Sequence, residues 1–284
     1  MSPYVRPPTV EAGDRRAALS VFLILLAVYT ATFSGLPDNP DAEVEFQTTR
    51  SIVVHRNLAL GDTPEARALV ENDFHVVPGG PGREGRFYSW HGIGQALGGV
   101  PFYAVGSLLA RAFPEIEARH AATTHRGYPR SEYFAHLLVG WRNPLLAAWT
   151  ALLVVVTARR LKARRAVAWL TGLTYGLCTF AWPQARSTLS DVQATFFTFL
   201  AVHQLVIVRE AFLGLRAPKL PHIALLGAAN AGLILRFPTE GGPPLMPGPL
   251  TEPHAIVGVV GLLLTAVLLA RRVPAATSDE TCSN

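Results

Sequence analysis

An all-α polytopic membrane protein, with about six transmembrane helices and a large first extracytoplasmic loop containing juxtamembrane helices, is the fold the sequence predicts. Three observations carry that reading. Half of the 284 residues are hydrophobic and only 16% are charged, at a mean hydropathy of +0.27, which is too apolar for an ordinary soluble domain. Apolar runs near the ~20 residues needed to cross a bilayer recur along the chain. Arginines cluster in short segments beside those runs, as the positive-inside rule requires of cytoplasmic loops. That placement accounts for the net charge of +5 and the pI near 9.6 without a nucleic-acid partner. No basic run is interleaved with aromatics for base stacking, so nucleic-acid binding is set aside. The two cysteines, Cys178 in an apolar run and Cys282 in the polar tail, give neither a disulfide framework nor a metal-ligand spacing.

Residues 1–16 are polar and Pro-rich, and Arg6, Arg15 and Arg16 hold them in the cytoplasm. Ala17–Leu36 is the first span. It is long and lacks a clear small-x-small cleavage site, so it reads as an uncleaved anchor. An acidic stretch, Asp38 to Arg50, follows on the outer face. Asp38 or Asn39 caps its helix, and Pro40 suits the first turn, where a missing N–H costs nothing. Asp41 and Glu45 share one face of that helix and Glu43 points elsewhere. Ser51–Leu60 continues the helix until Gly61-Asp62-Thr63-Pro64 breaks it. Gly79-Gly80-Pro81-Gly82 after Val76-Val77-Pro78 is a loop, and Arg86 to Gly92 supplies aromatics suited to a headgroup boundary.

Topology settles the next run. If Ile93–Ala110 crossed the membrane, the basic segment Arg159-Arg160-Leu161-Lys162-Ala163-Arg164-Arg165 would lie outside, against the positive-inside rule. If it lies along the interface, that segment is cytoplasmic. The second span is then Phe134–Thr157, with Arg142-Asn143 marking its real start near Pro144 rather than a buried charge. Val167–Trp182 runs outward, Asp191–Val208 inward, Pro221–Leu235 outward and Ile256–Ala270 inward. The transmembrane domain covers 17–272, with its first outer loop at about 37–133 and a disordered cytoplasmic tail at 273–284. Seven spans is the alternative.

Three outer features converge on one membrane boundary: the acidic stretch, the turn from Ala181 to Asp191, and Arg236-Phe237-Pro238-Thr239-Glu240. Arg186 and Arg236 lie where arginine is less expected. A guanidinium fork there suits a phosphate, and snorkelling or pairing with Asp191 and Glu240 is the bland alternative. Asp191 reads either as a contact to a metal or sugar hydroxyl or as a cap for span four. His91 reads as a substrate contact or as a headgroup-facing histidine. His75, His120, His125 and His136 show no zinc spacing, so no metal ligands are assigned. There is no P-loop, no G-x-G-x-x-G opening a helix and no G-x-S-x-G elbow.

Over roughly residues 17 to 240 the order of these features resembles the GT-C membrane glycosyltransferases, in the style of bacterial protein O-mannosyltransferases and lipid A aminoarabinose transferases. Pro40 to Phe46 with Thr49-Arg50-Ser51 resembles their first-loop motif. Gly85 to Gln95, ahead of Pro101-Phe102-Tyr103, resembles the juxtamembrane part of that loop, and Gly176 to Arg186 with Asp191 resembles their span three–four turn. The resemblance implies sugar transfer from a polyprenyl-phosphate donor to an acceptor on the outer face of a bacterial plasma membrane. It places at Asp41, with Glu43 next, the acid that acts on the acceptor as general base or through a divalent metal. Arg186 and Arg236 are then the candidates for stabilising the leaving phosphate. In that reading Asp38 is the cap and Glu45 a supporting or surface acid. The chain carries fewer spans than such enzymes usually have. The alternative is therefore a shortened, inactive scaffold or a subunit that needs a membrane partner.

Overall fold

The computed structural model describes residues 12–35, 39–61, 63–79, 85–91, 93–121, 132–188 and 191–212. The expected fifth and sixth spans, Arg236, Asp38 and the tail lie outside the described residues. The protein is mostly helical. In chain order the elements are α1 (Ala12–Thr32), α2 (Pro40–Val54), α3 (Pro64–Glu71), β1 (Val76–Pro78), β2 (Phe87–Ser89), α4 (Ile93–Ala112), α5 (Pro114–Ala121), α6 (Tyr133–Arg160), α7 (Arg165–Cys178), α8 (Ala181–Arg186) and α9 (Asp191–Phe212). Among the described residues, four stretches are long and apolar enough to cross a membrane: Gly13–Thr32, Ile93–Ala112, Tyr133–Arg160 and Asp191–Glu210. This supports an integral, helical membrane protein.

The longest helix among the described residues, α6, is the axis against which α1, α4, α7 and α9 pack. Small side chains make the close contacts possible. Ala147, Ala148 and Ala151 let α6 approach α1, where Val21, Leu25 and Tyr29 are fully buried. Gly172 and Gly176 do the same for α7, and the Tyr29 hydroxyl donates to the Gly176 carbonyl at 2.8 Å. One end of this bundle is pinned by charge. Asp14 accepts from Arg159 (2.8 and 3.0 Å) and Arg165 (3.1 Å), and Arg160 pairs with Glu210 at 2.8 Å. At the other end, Trp141 donates to Thr30, Trp182 to Thr32, and the Asn143 amide to the Ser187 carbonyl.

These contacts fix relative depth. The part of α6 from Trp141 to Arg160 lies alongside α1, α7 and α9. The part before it projects past the end of α1 and carries α4 and α2. Arg142 donates to the Gln95 carbonyl near the start of α4, and Gly106 rests on Ala135 further out. The α4 helix therefore begins where α1 ends and runs outward along the projecting turns of α6.

Local structure departs from the sequence reading at four places. The α6 helix starts at Tyr133, not near Pro144, and Arg142 (3% exposed) and Asn143 (0%) are buried in its middle. They are tolerated there because the Gln95 and Ser187 carbonyls receive their donors. The expected third span is broken. Helix α7 stops at Cys178, and the Thr179 hydroxyl accepts from the Ala181 N–H (3.1 Å) as α8 begins. Helix α2 ends at Val54 rather than Leu60, with Arg56 in the left-handed region (φ 53°). Finally, the segments either side of the Gly79–Gly82 region pair as an antiparallel hairpin, Val76 opposite Ser89 and Pro78 opposite Phe87.

Candidate functional site

The acidic stretch folds as α2, and its start follows local chemistry. The Asn39 side chain accepts from the Ala42 N–H at 2.8 Å, and Pro40 occupies the first turn. What the cap does not explain is the burial that follows. Glu45, Gln47, Thr48, Thr49 and Ser51 are all buried, because α4 lies along this side of α2, with the α3 and hairpin segments packed around it. Thr49 donates to the Glu45 and Ala96 carbonyls, and a side chain at Gly99 would collide with it. The three carboxylates of α2 then point to three different environments.

Asp41 meets two histidines. The hairpin brings them there: β1 and β2 pair in register, and the Trp90 N–H donates to the His75 carbonyl at 2.9 Å, so the residues flanking the strands converge. His75 Nδ1 bonds Asp41 Oδ1, and His91 Nε2 lies 3.6 Å from the same oxygen. The two rings meet edge to face at 5.4 Å. Asp41 is one-third exposed, His75 more than half and His91 about a quarter. Burial pulls the His91 imidazole below its ordinary value, with the nearby Asp41 carboxylate opposing and His75 adding to the fall. Neutral His91 is thus favoured.

Glu43 faces the other way. It accepts from Gln47 at 2.8 Å and lies 3.2 Å from Nε2 of His136, whose ring stacks on Phe46. Glu45 is sealed in between α2, α4 and α6. Burial pushes its carboxyl from 4.5 up to about 8, although the Arg142 guanidinium pulls the other way and Asp41 adds a push upward. Glu45, His136, Arg142, Gln95 and Thr188 line a narrow cleft with room for about one water molecule. Gln95 Oε1 and Thr188 Oγ1 are buried there without a hydrogen-bond partner among the described residues. The cleft therefore offers a cation, an acid held neutral at pH 7 and two unspent polar groups.

Of the residues singled out in the sequence, Asp41, Glu43 and His91 do gather at one end of the fold. Arg186 does not join them: its Nε donates to the Thr32 carbonyl at 2.8 Å and so caps the end of α1. Asp191 opens α9 in its first turn, where an acid is favoured. Arg236 lies outside the described residues. Of the two readings of Glu45, a supporting or a surface acid, burial removes the second: it is 7% exposed. His75, His136 and Arg142 were missed as partners of the acids. A signal for His75 existed, because two β-prone runs around a Gly/Pro turn predict a hairpin, and a hairpin there places positions 75 and 91 side by side. No protein-family model matches the chain, and neither a curated protein nor a solved structure shows a significant match to it.

Proposed function

We propose that the protein is a membrane glycosyltransferase that moves a sugar from a polyprenyl-phosphate donor to an acceptor on the extracytoplasmic face. The observation that carries this reading is Asp41: a carboxylate one-third exposed on the first turn of α2, bonded by the His75 imidazole and faced by that of His91. A carboxylate so placed takes the proton of an acceptor hydroxyl as that oxygen attacks the anomeric carbon, and the lipid phosphate departs. Glu43, paired with His136, is the second acid. In this reading the candidates for the leaving phosphate are Arg236, Arg142 inside the cleft, and the terminal nitrogens of Arg186, whose Nε is already held by the Thr32 carbonyl.

The accompanying topology puts the Arg159–Arg165 segment in the cytoplasm and α2, α3, the hairpin and α4 outside, with α4 along the outer interface. Its support is depth: α4 starts where α1 ends, although its length alone would allow a crossing. With Cys178 and Cys282 replaced by serine, Lys162→Cys, in the turn between α6 and α7, is expected to react with an impermeant maleimide only after the membrane is opened. Labelling from outside on sealed cells refutes the topology.

The direct test supplies polyprenyl-phosphate sugars to membranes holding wild type or Asp41→Asn. Loss of a general base is expected to slow transfer by about 10²–10⁴-fold. Equal transfer by both removes Asp41 from the mechanism. One observation favours a second reading, a scaffold or assembly subunit: Arg186 is engaged by the end of α1 rather than aimed at the acids. No transfer by wild type, with its fold intact, selects that reading.

A further inference from the structure

We infer that Asp41, His75 and His91 form a binding site for one divalent ion of the zinc class. One ligand atom from each lies within 4.8 Å of the other two, and they come from three separate segments: the first turn of α2, the residue before β1 and the segment after β2. A simple His–Asp hydrogen bond would need only one of the histidines. Here the second also faces the carboxylate, yet at 3.6 Å it is an ion-pair approach too long for a hydrogen bond, and its buried Nε2 has no hydrogen-bond partner among the described residues. An ion at the centre of the three supplies that missing partner.

The backbone gives independent support. His75 sits at φ 48°, in the left-handed region that non-glycine residues rarely adopt and that clusters at functional sites. The geometry needs little adjustment. Bonds of about 2.0–2.2 Å in a tetrahedral site hold ligand atoms roughly 3.3–3.5 Å apart. His91 and Asp41 are already near that spacing, and rotation of the largely exposed His75 ring opens the shorter contact. Two imidazoles and one carboxylate favour zinc, cobalt or nickel over magnesium and calcium, which take oxygen ligands. Three protein ligands and a solvent-facing side leave a fourth position open, the arrangement of reactive rather than purely structural zinc sites.

The inference shares Asp41 with the transferase reading but does not depend on it, because its test needs no sugar donor. The purified full-length protein in detergent, stripped with chelator and dialysed against zinc or magnesium, is assayed by elemental mass spectrometry. One zinc and no magnesium per chain is expected. Cobalt loading should give visible d–d absorption of a four-coordinate nitrogen–oxygen site. His75→Ala and His91→Ala should each weaken zinc binding by 100-fold or more, while His55→Ala, an exposed histidine outside the cluster, should leave it unchanged. If the two variants fail to fold, the wild-type measurements decide: zinc must raise the unfolding temperature and magnesium must not. Absent stoichiometric zinc in wild type, or zinc bound as tightly by His75→Ala and His91→Ala, overturns the site. Zinc binding with no transfer activity leaves the site standing and removes the transferase.

Discussion

Glu45→Gln is expected to stabilise the protein, and by an amount that grows with pH. The sign follows from the raised value of about 8 for the folded carboxyl against 4.5 when exposed. Between those values the unfolded chain ionises at this position and the folded chain does not, so stability falls as pH rises from about 4.5 to about 8 and is level beyond. At about 1.4 kcal/mol for each tenfold change in proton affinity, the full fall is on the order of 5 kcal/mol. Glutamine has no proton to lose and keeps nearly the same shape in the cleft. Thermal unfolding of both proteins in detergent, at pH 4.5, 6, 8 and 9, should show a small gap at the lowest pH that widens to pH 8 and then holds. Titrating groups that do not interact with Glu45 are common to the two proteins and cancel in the difference; Asp41 and Arg142, which do interact with it, lie in the same cluster. A gap independent of pH would mean that Glu45 is not buried as the carboxyl described here.

The same residue shows where sequence reading reached its limit. Composition, run length and arginine placement were enough for a helical membrane protein, because each depends only on the bilayer as a solvent. Asn39-Pro40 was legible as a helix start for an equally local reason: cap and first turn are decided within four residues. Burial is not local. Glu45 looked like a surface acid because a membrane-boundary loop rich in charge is normally wet, and nothing within α2 says that α4 will cover it. Arg142 misled in the opposite direction. An arginine and a proline inside an apolar run usually mark a helix start, but here the Gln95 carbonyl, distant in sequence, makes its burial tolerable.

The grouping of Asp41 with His91 was partly legible and its most informative member was not. The acid and the juxtamembrane aromatics both read as outer-face features. Their meeting depends on a hairpin of two three-residue strands, and His75 is placed by strand register alone. Metal-ligand spacing along a sequence recognises ligands carried on one helix or knuckle. Ligands that flank a hairpin and pair with a third element carry no fixed spacing, so the cluster emerges only once register is known.

Gly106→Ala is expected to be the most damaging small substitution in the outer part of the fold. Helix propensity alone favours alanine by ~1 kcal/mol. The new methyl, however, would sit 2.5 Å from the Ala135 Cα and 2.7 Å from the Phe134 carbonyl oxygen, and backbone atoms cannot turn aside. Relief requires α4 to move off α6 as a body, with overpacking costs of about 1–3 kcal/mol. That movement also pulls on the other end of α4, where the Gln95 carbonyl holds Arg142 and the Gln95 side chain donates to Thr188. The expected result is a net loss of stability together with faster amide exchange through α2 and the start of α4. Gly98→Ala is the matched comparison: the nearest contacts of its methyl are with the Gln193 carboxamide, a side-chain tip that can yield. Yielding costs about 1 kcal/mol for its bond to the Gly94 carbonyl, offset by alanine's higher helix propensity. That variant should stay within about 1 kcal/mol of wild type. Equal stability of the two variants, measured by thermal unfolding, would mean that α4 is not seated on α6 at Gly106, and the depth assigned to α4 would lose one of its two contacts.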